Sequence, residues 1–328
     1  MESARAFQIS APGVGVIVDV DLPEPGPTEV RVRTLFSGVS RGTETTVFTG
    51  RVPRSQYQEM RAPFQRGDFP GPVIYGYLNV GVVEEGSEAL VGRQVFTLFP
   101  HQTRFVVPAS AVTVLPDGVP ARRAVLAGTV ETAINALWDA APLVGDRVAV
   151  VGAGMVGVCV ARLLSQIPGV AVTLVDVDAS RAAAADALGV PFAVPGAAVG
   201  NCDLVVHTSA SSAGLQLSLD LLGFEGSVIE LSWYGDGETT VTLGGAFHSS
   251  RLSIRASQVG AVAAGRRARR SMSDRLGVAL QLLQDNAFDA VLSATSPFDA
   301  LPDLLPRIAD GSWPGLCHVI EYPATEEG

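Results

Sequence analysis

Residues 146–178 read DRVAVVGAGMVGVCVARLLSQIPGVAVTLVDVD, and this stretch decides the fold. A run typical of a β-strand, 148–151, ends in the glycine-rich turn 152–157, and an apolar helical run follows. A second β-rich run, 171–175, ends in Asp176. A Gly-x-Gly-x-x-Gly turn between a strand and a helix, with an acid after the next strand, predicts a dinucleotide-binding unit.

Each glycine of the turn has a separate role in that prediction. Gly152 permits the tight turn, Gly154 lets the backbone approach a pyrophosphate, and Gly157 lets the helix pack close to the sheet. The helix N-terminus offers free N–H groups and the positive end of its dipole to phosphates. Asp176 suits the hydroxyls of an adenosine ribose and would repel a 2′-phosphate, which favours NAD(H) over NADP(H). A strand–helix turn that binds no ligand is the alternative interpretation.

Further cofactor contacts are expected at the carboxyl ends of the later strands, because open parallel sheets bind their ligands there. Arg181 would read a phosphate if the cofactor were NADP(H) instead. The full set of expected cofactor residues is Gly152, Ala153, Gly154, Met155, Val156, Gly157, Asp176, Val177, Arg181, Thr208, Ser209, Ala210, Ser232, Trp233, Ser257, Gln258 and Val259.

Length and composition predict a globular enzyme of two domains. The chain has 328 residues, and this length is more than a single hydrophobic core usually serves. The hydrophobic fraction is 47%. No apolar run reaches membrane-spanning length, and the N-terminus lacks the apolar stretch of a signal peptide. We therefore expect a cytoplasmic protein with no membrane partner. The net charge of −10 argues against nucleic acid as a partner.

Missing residue types narrow the chemistry. All 23 basic residues are arginine, so Schiff-base catalysis and a Tyr–Lys proton relay are excluded. The cysteines, Cys159, Cys202 and Cys317, lie far apart and form no Cys-x-x-Cys pair. Neither a structural zinc site nor a disulfide is therefore expected from their spacing.

The pattern along the chain predicts an α/β protein. Short β-rich runs between residues 3 and 115 indicate a small β-barrel-like domain, and 121–140 has helical periodicity. Strand and helix patterns then alternate, which predicts a parallel sheet covered on both faces. The tail resembles a helix followed by a strand that returns to the first domain. The expected domains are 1–120 with 296–328, and 121–295.

Several segments resemble the medium-chain dehydrogenase/reductase superfamily. The matching motifs follow in the family's order along nearly the whole chain: VRVR at 30–33 leading to SGVSRGTE at 37–44, GYLNVGVV at 76–83, FVVP at 105–108, LPDG at 115–118, TAINAL at 132–137 and VGDRV at 144–148. The resemblance implies a GroES-like β-barrel domain for the substrate and a Rossmann-fold domain for NAD(H). It also implies a small-molecule substrate, and we expect a homodimer.

The departures from the family concern zinc. The family's catalytic zinc cysteine corresponds to Ser40, its histidine and glutamate to Tyr77 and Leu78, and its third ligand position to Gly128. The four-cysteine lobe that binds structural zinc has no counterpart. The resemblance therefore implies a zinc-independent member. The SRGTE and YGY segments are most similar to the branch named zinc-binding or bacteriochlorophyllide-type alcohol dehydrogenases.

Catalysis without a metal needs hydrogen-bond donors or a proton relay beside the reacting oxygen. The family register places polar residues around the former metal pocket, and Tyr77 occupies a former ligand position. Tyr75 and Tyr77 filling the vacated volume, and Glu44 pairing with Arg41, are the simpler alternatives. The candidate catalytic residues are Tyr77, Glu44, His101, Glu131, Ser40 and Tyr75, with Thr43 beside them.

The polar segment 49–71 falls where the family has a loop on the substrate side. Its arginines are Arg51, Arg54, Arg61 and Arg66, which would suit a carboxylate or phosphate. The alternative is a solvated loop in which Glu59 and Asp68 pair with the arginines.

The function that these observations favour is a zinc-independent, NAD(H)-dependent alcohol dehydrogenase or carbonyl reductase. A quinone or enoyl reductase of the same superfamily is the enzyme alternative, although many of those use NADPH and Asp176 counts against it. A nucleotide-binding paralogue without turnover is the alternative from another class.

Overall fold

The computed structural model describes residues 2–323, which divide into two compact units. The first unit comprises residues 2–128, 280–284 and 292–323 of the described chain. The second unit comprises residues 129–279 and 285–291.

The chain up to residue 124 contains mostly short strands. Its elements are β1 (Glu2–Ala11), β2 (Val14–Leu22), β3 (Glu29–Val39), α1 (Arg41–Phe48), β4 (Arg66–Gly67), β5 (Val73–Ile74), β6 (Asn79–Glu85), β7 (Gln94–Thr97), β8 (Arg104–Pro108), β9 (Thr113–Val114) and α2 (Ala121–Ala124).

From residue 127 onward, helices and strands alternate. The elements are α3 (Ala127–Ala140), β10 (Arg147–Val151), α4 (Met155–Ser165), β11 (Ala171–Val175), α5 (Ala182–Ala187), β12 (Phe192–Ala193), β13 (Cys202–His207), α6 (Ser212–Asp220), β14 (Leu222–Glu230), α7 (Ala246–Ser249), β15 (Ser253–Ala256), α8 (Met272–Leu282), β16 (Leu292–Pro297), α9 (Leu301–Ala309) and β17 (Cys317–Glu321).

Two sheets build the first unit. The larger has the order β16-β17-β3-β6-β7-β9, with β8 also paired to β3, and the smaller has the order β2-β1-β5-β4. The last strand, β17, runs antiparallel to β3 and places His318 opposite Val39. Buried valines and phenylalanines fill the core, where Phe99 and Phe105 stack with ring centroids 3.8 Å apart.

One parallel sheet builds the second unit, in the order β12-β11-β10-β13-β14-β15. Each neighbouring pair of strands in it is parallel. Strands buried on both faces read as apolar runs, as the sequence of β10 and β13 does. All carboxyl ends of these strands lie at one edge, which is where the glycine turn after β10 begins. The predicted α/β fold class is confirmed, with a Rossmann-like sheet and a separate β domain.

Three elements differ from the sequence-based expectations. The helix predicted over 121–140 is two helices, because the backbone tightens between them and the Leu126 N–H bonds the Arg123 carbonyl at 3.0 Å. The SRGTE segment, where the sequence pattern predicted no helix, begins α1. The first strand, β1, was not singled out by the pattern, yet it pairs along its length with β2.

None of the helices between residues 2 and 323 combines the length and the apolar character needed to span a bilayer.

Candidate active site

The glycine turn after β10 has the geometry that a pyrophosphate cradle requires. Gly152 has φ +109°, which favours glycine, and a Cβ there would lie 2.7 Å from Thr208 Oγ1. A Cβ on Gly157 would lie 1.8 Å from the Gly152 carbonyl oxygen, so only glycine permits this helix–turn contact. A Cβ on Gly154 would meet nothing within 4 Å. Gly154 therefore faces open space at the start of α4, and the residues present fit a dinucleotide.

Asp176 lies at the end of β11 and supports the turn. Its Oδ2 accepts the Ala153 N–H at 2.6 Å, and its Oδ1 accepts the Asp178 N–H at 2.8 Å. An ionised carboxylate has about four lone-pair positions, so acceptors are left for a ribose diol. Arg181, the residue expected to read a phosphate, is paired with Asp178 at 3.2 Å.

A hydrogen-bonded chain joins the ends of β13 and β14. His207 bonds the Ser209 hydroxyl through Nε2 and the Glu230 carboxylate through Nδ1, each at 2.7 Å. The Ala210 N–H donates to the Ser232 hydroxyl at 3.0 Å, which ties the two loops together. Desolvation tends to raise the pKa of the Glu230 carboxyl, but the interactions with His207, together with the hydrogen bonds from Ser232, outweigh it and hold that pKa below its ordinary value.

The first unit buries a polar chain around His101. His101 Nε2 bonds Glu44 Oε2 at 2.8 Å, and His101 Nδ1 bonds the Ser37 hydroxyl at 2.7 Å. Ser37 continues to the Tyr322 hydroxyl at 2.9 Å. Glu44, in the first turn of α1, also accepts the N–H of Ser40, the residue that precedes the helix, at 2.8 Å. Glu44 therefore pairs with His101 and not with Arg41, which was the alternative partner considered from the sequence.

Tyr77 faces the same region. Burial and the negative charge of Glu44 raise the pKa of Tyr77 to about 12, although hydrogen bonds from Ser40 and Thr43 oppose the rise. Tyr75 touches Tyr77 edge-on, with ring centroids 6.2 Å apart, and burial raises its pKa well above the ordinary value. At neutral pH the Tyr77 hydroxyl is therefore a protonated hydrogen-bond donor.

Leu78, at one of the four positions that correspond to the family's zinc ligands, packs closely against another of them, Gly128. Leu78 is fully buried, and its Cδ2 would lie 2.7 Å from a Cβ placed on Gly128. The same side chain would lie 3.3 Å from a Cβ on Gly38. Within residues 2–323, no group of three His, Cys, Asp or Glu side chains is placed to hold a metal ion. The residues present do not fit a tetrahedral zinc.

Comparison with known proteins finds dehydrogenases. No protein-family model matches the chain. Among curated proteins, a D-guloside 3-dehydrogenase from Shigella flexneri is 26% identical over 249 residues, which cover 67% of this chain and 71% of that one. Among solved structures, L-idonate 5-dehydrogenase from Escherichia coli K-12 has a TM-score of 0.79 at 14% identity, covering 98% of each chain.

Two further structures were solved with nicotinamide cofactors. An alcohol dehydrogenase from E. coli CFT073, complexed with NADH, has a TM-score of 0.76 at 17% identity and covers 98% of this chain and 100% of that one. A dehydrogenase from Sinorhizobium meliloti 1021, bound to NADP, has a TM-score of 0.77 at 16% identity and covers the same shares of the two chains. This chain has the medium-chain dehydrogenase/reductase fold.

Within that fold, the sequence-predicted residues fall into two groups. Tyr77, Glu44, His101, Ser40 and Tyr75 all lie in the first unit, and the contacts above connect them. Glu131 lies in the second unit, where its carboxylate bonds Arg275 at 3.0 Å. Burial raises the pKa of Glu131, and Arg275 opposes that shift.

The predicted cofactor residues after β15 are held by α3. The Ser257 hydroxyl donates to Asp139 Oδ2 at 2.6 Å, and the Gln258 carbonyl accepts from Asn135 Nδ2 at 3.3 Å. Among the other predicted cofactor residues, Met155 is buried, Val156 and Trp233 are half-buried, and Val177 is exposed.

The arginines of segment 49–71 are mostly engaged within the first unit. Arg61 pairs with Asp68 at 2.5 Å, and Arg66 bonds the side chain of Gln102. The alternative interpretation, in which Asp68 forms an ion pair with one of these arginines, is therefore confirmed for Arg61.

Sequence reasoning missed residues that arrive from distant parts of the chain. Ser37 and Tyr322 extend the His101 chain but lie 285 positions apart. Cys317 is fully buried, and burial together with the charge of Glu44 raises the pKa of its thiol to about 12. The predicted return of the tail to the first domain was the signal that pointed towards β17.

Proposed function

We propose that the chain is a zinc-independent, NAD(H)-dependent oxidoreductase that interconverts an alcohol and a carbonyl on a small hydroxylated substrate. Nicotinamide supplies the hydride chemistry, and the chain supplies binding, orientation and the proton. Dehydrogenases with this fold and a relative named for a guloside support a hydroxylated small molecule.

The preference for NAD(H) is supported by Asp176. Its carboxylate lies against the glycine turn, where Ala153 donates to it, and its charge disfavours a phosphate on the neighbouring ribose. Arg181, the cation predicted to bind such a phosphate, has its charge partnered by Asp178.

Zinc independence is supported by one observation above the others. The Leu78 side chain fills the volume that a ligand at Gly128 would need. Other potential zinc ligands nearby are the Cys317 thiol and the Glu44–His101 pair. Both ring nitrogens of His101 are already engaged in hydrogen bonds, Nε2 with Glu44 and Nδ1 with Ser37.

In this proposal, Tyr77 takes the role that the metal has in zinc-dependent dehydrogenases. In the reductive direction a bound nicotinamide would supply the hydride, and the Tyr77 hydroxyl would donate a hydrogen bond and then its proton to the carbonyl oxygen, leaving a phenolate that water reprotonates. Its raised pKa keeps the phenol protonated at neutral pH. Glu44 and His101, both buried and bonded together, orient the Ser40 segment beside it.

Binding and turnover test the proposal. Calorimetric titration with NADH and NADPH is combined with a screen of ketones, aldehydes and polyols, each assayed with and without a chelator. We expect tighter binding of NADH, turnover of a hydroxylated substrate, and no loss with chelator. One equivalent of tightly bound zinc in elemental analysis would overturn zinc independence, and binding without turnover on any substrate would favour a non-catalytic protein.

A further inference from the structure

Arg275 on α8 is a fully buried cation in the second unit. Its side chain is 1% exposed, and its guanidinium binds from three directions. Nε donates to Glu131 Oε1 at 3.0 Å, and Nη1 donates to Asn135 Oδ1 at 2.5 Å. Both of these acceptors lie on α3. The network therefore links α8 to α3 through charge and hydrogen bonds.

The same guanidinium also binds main-chain carbonyls of the loop after β15. Nη2 donates to the Val259 carbonyl at 2.5 Å, and Nη1 donates to the Ala261 carbonyl at 3.4 Å. Burying a cation is unfavourable unless it is paired and hydrogen-bonded, and apolar side chains join two helices without that penalty. The contacts that helix packing does not explain are those to the loop backbone.

Asn135 holds the same loop at two further points. Its Oδ1 accepts the Ala263 N–H at 3.0 Å, and its Nδ2 donates to the Gln258 carbonyl at 3.3 Å. The Ser257 hydroxyl, at the start of the loop, bonds Asp139. The backbone of residues 257–263 is therefore fixed from α3 and α8 along its length.

The order of the strands in the parallel sheet indicates which half of a bound dinucleotide this loop would face. The glycine turn follows β10, and Asp176 follows β11, so the adenosine half of a dinucleotide lies on the β11 side of the turn. The other half must then extend over the carboxyl ends of β13, β14 and β15, because parallel strands end at one edge. Ser257 and Gln258 directly follow β15 and lie on that side.

We propose that Arg275, with Glu131 as its charge partner, is a positioning residue for the nicotinamide half of the bound cofactor. It acts by fixing the backbone of residues 257–263 and does not touch the reacting atoms. The inference rests on the proposed function. It gives Glu131 a role in the second unit, in place of the proton transfer considered from the sequence.

The test compares two ligands that differ at the nicotinamide. NADH carries it, whereas ADP-ribose has the adenosine, the pyrophosphate and the second ribose but lacks it. Arg275→Lys keeps the charge but loses the planar fork that reaches four acceptors at once. We expect its dissociation constant for NADH to rise roughly tenfold and that for ADP-ribose to change less than about twofold. Equal loss of both ligands, or of neither, overturns the inference.

Two further variants keep the test interpretable. Glu131→Gln retains an oxygen for the Arg275 Nε and removes only the charge, so it carries the same comparison if Arg275→Lys does not fold. Arg162→Lys is the matched control, because Arg162 also binds a carboxylate, Asp285, and a carbonyl, that of Leu188, in the same unit. We expect it to lower thermal stability without separating the two ligands.

Different results would overturn the proposed function and the positioning role of Arg275. If the unaltered chain binds neither NADH nor ADP-ribose, the proposed function is overturned and this inference with it. If the unaltered chain binds both and Arg275→Lys weakens both alike, the inference alone is overturned and Arg275 is a stabilising residue of the fold.

Discussion

Tyr77 combines two properties that the sequence could only partly predict. The family register placed it at a former ligand position, and the structure surrounds it with Ser40, Thr43 and the charge of Glu44. A neutral phenol in such surroundings is a donor that does not need reorganisation during the reaction. Whether it acts on substrate is a matter for a variant that removes the hydroxyl alone.

Tyr77→Phe is expected to lower kcat for carbonyl reduction at least roughly tenfold, because one lost donor to a developing oxyanion typically costs about 2.7–4 kcal/mol. The ring is kept, so packing against Tyr75 should survive and NADH affinity should hardly change. Steady-state kinetics and calorimetry measure the two effects. Tyr57→Phe removes a phenol hydroxyl outside the polar cluster and serves as the control. An unchanged kcat in Tyr77→Phe would leave Tyr77 a space-filling residue.

Asp176 carries the cofactor preference, and its substitution needs care because the carboxylate also accepts the Ala153 N–H. Asp176→Asn keeps one acceptor for that bond and loses the charge. We expect NADH binding to weaken by about 1.5–3 kcal/mol and the gap to NADPH to narrow. Asp186→Asn, at an exposed acid of α5, removes an equal charge ten residues away as the control. Equal or tighter binding of NADPH by the unaltered chain contradicts the preference.

At the scale of elements, the strand–turn–helix–strand unit was predictable and α1 was not. The order β10, α4, β11 follows from the apolar periodicity and from the spacing of the glycines, which is specific to this strand–turn–helix geometry. The α1 sequence, RGTETTVF, has Gly and Thr residues of low helix propensity. It is helical because Glu44 accepts the Ser40 N–H and because Val47 and Phe48 are buried, and both causes lie outside local sequence statistics.

The glycines of the turn give a paired prediction. Gly154→Ala adds a methyl group into open space, so the thermal midpoint should hardly move while NADH binding weakens at least roughly tenfold, because the methyl group occupies the approach to the pyrophosphate. Gly157→Ala forces a Cβ against the Gly152 carbonyl and should destabilise the fold by roughly 1–3 kcal/mol or more. Calorimetric unfolding and NADH titration are measured on both.

The control for this pair is Gly196→Ala, which also adds a methyl group where nothing lies within 4 Å, away from the turn. It should alter neither stability nor binding. If Gly154→Ala binds NADH as the unaltered chain does, the turn is a structural feature and no pyrophosphate lies over it.

At the scale of the whole molecule, the two structural units could be predicted from the sequence, but the contacts between distant residues could not. The alternation of patterns and the family motifs predicted a β domain and a Rossmann domain. The pairing of Ser37 with Tyr322 and of Glu131 with Arg275 could not be predicted, because it depends on which face each element turns inward over 285 and 144 positions of sequence. The homodimer and the cytoplasmic location stay predictions.

The tyrosines together predict how the whole chain responds to alkali. Burial raises the pKa of Tyr75, Tyr77, Tyr234 and Tyr322, that of Tyr77 to about 12, and the charge of a nearby carboxylate adds to the rise in each. The folded chain therefore holds these phenolic protons more tightly than the unfolded chain does. The free energy of unfolding should consequently be highest below about pH 10 and fall as the pH rises from about 10 towards 12.

A rapid jump to about pH 11, where unfolded tyrosine is mostly ionised, makes this response visible. Immediately after the jump, these four phenols should still be protonated, and phenolate absorbance should then grow by about four tyrosines as the chain unfolds. Tyr77→Phe should reduce that slow step by about one phenol, because it removes one of the four phenols whose pKa is raised in the folded chain. Circular dichroism is recorded in the same jump. Full phenolate absorbance before any loss of secondary structure would show that these phenols ionise in the folded chain, and the desolvation that raises the pKa of Tyr77 would be wrong.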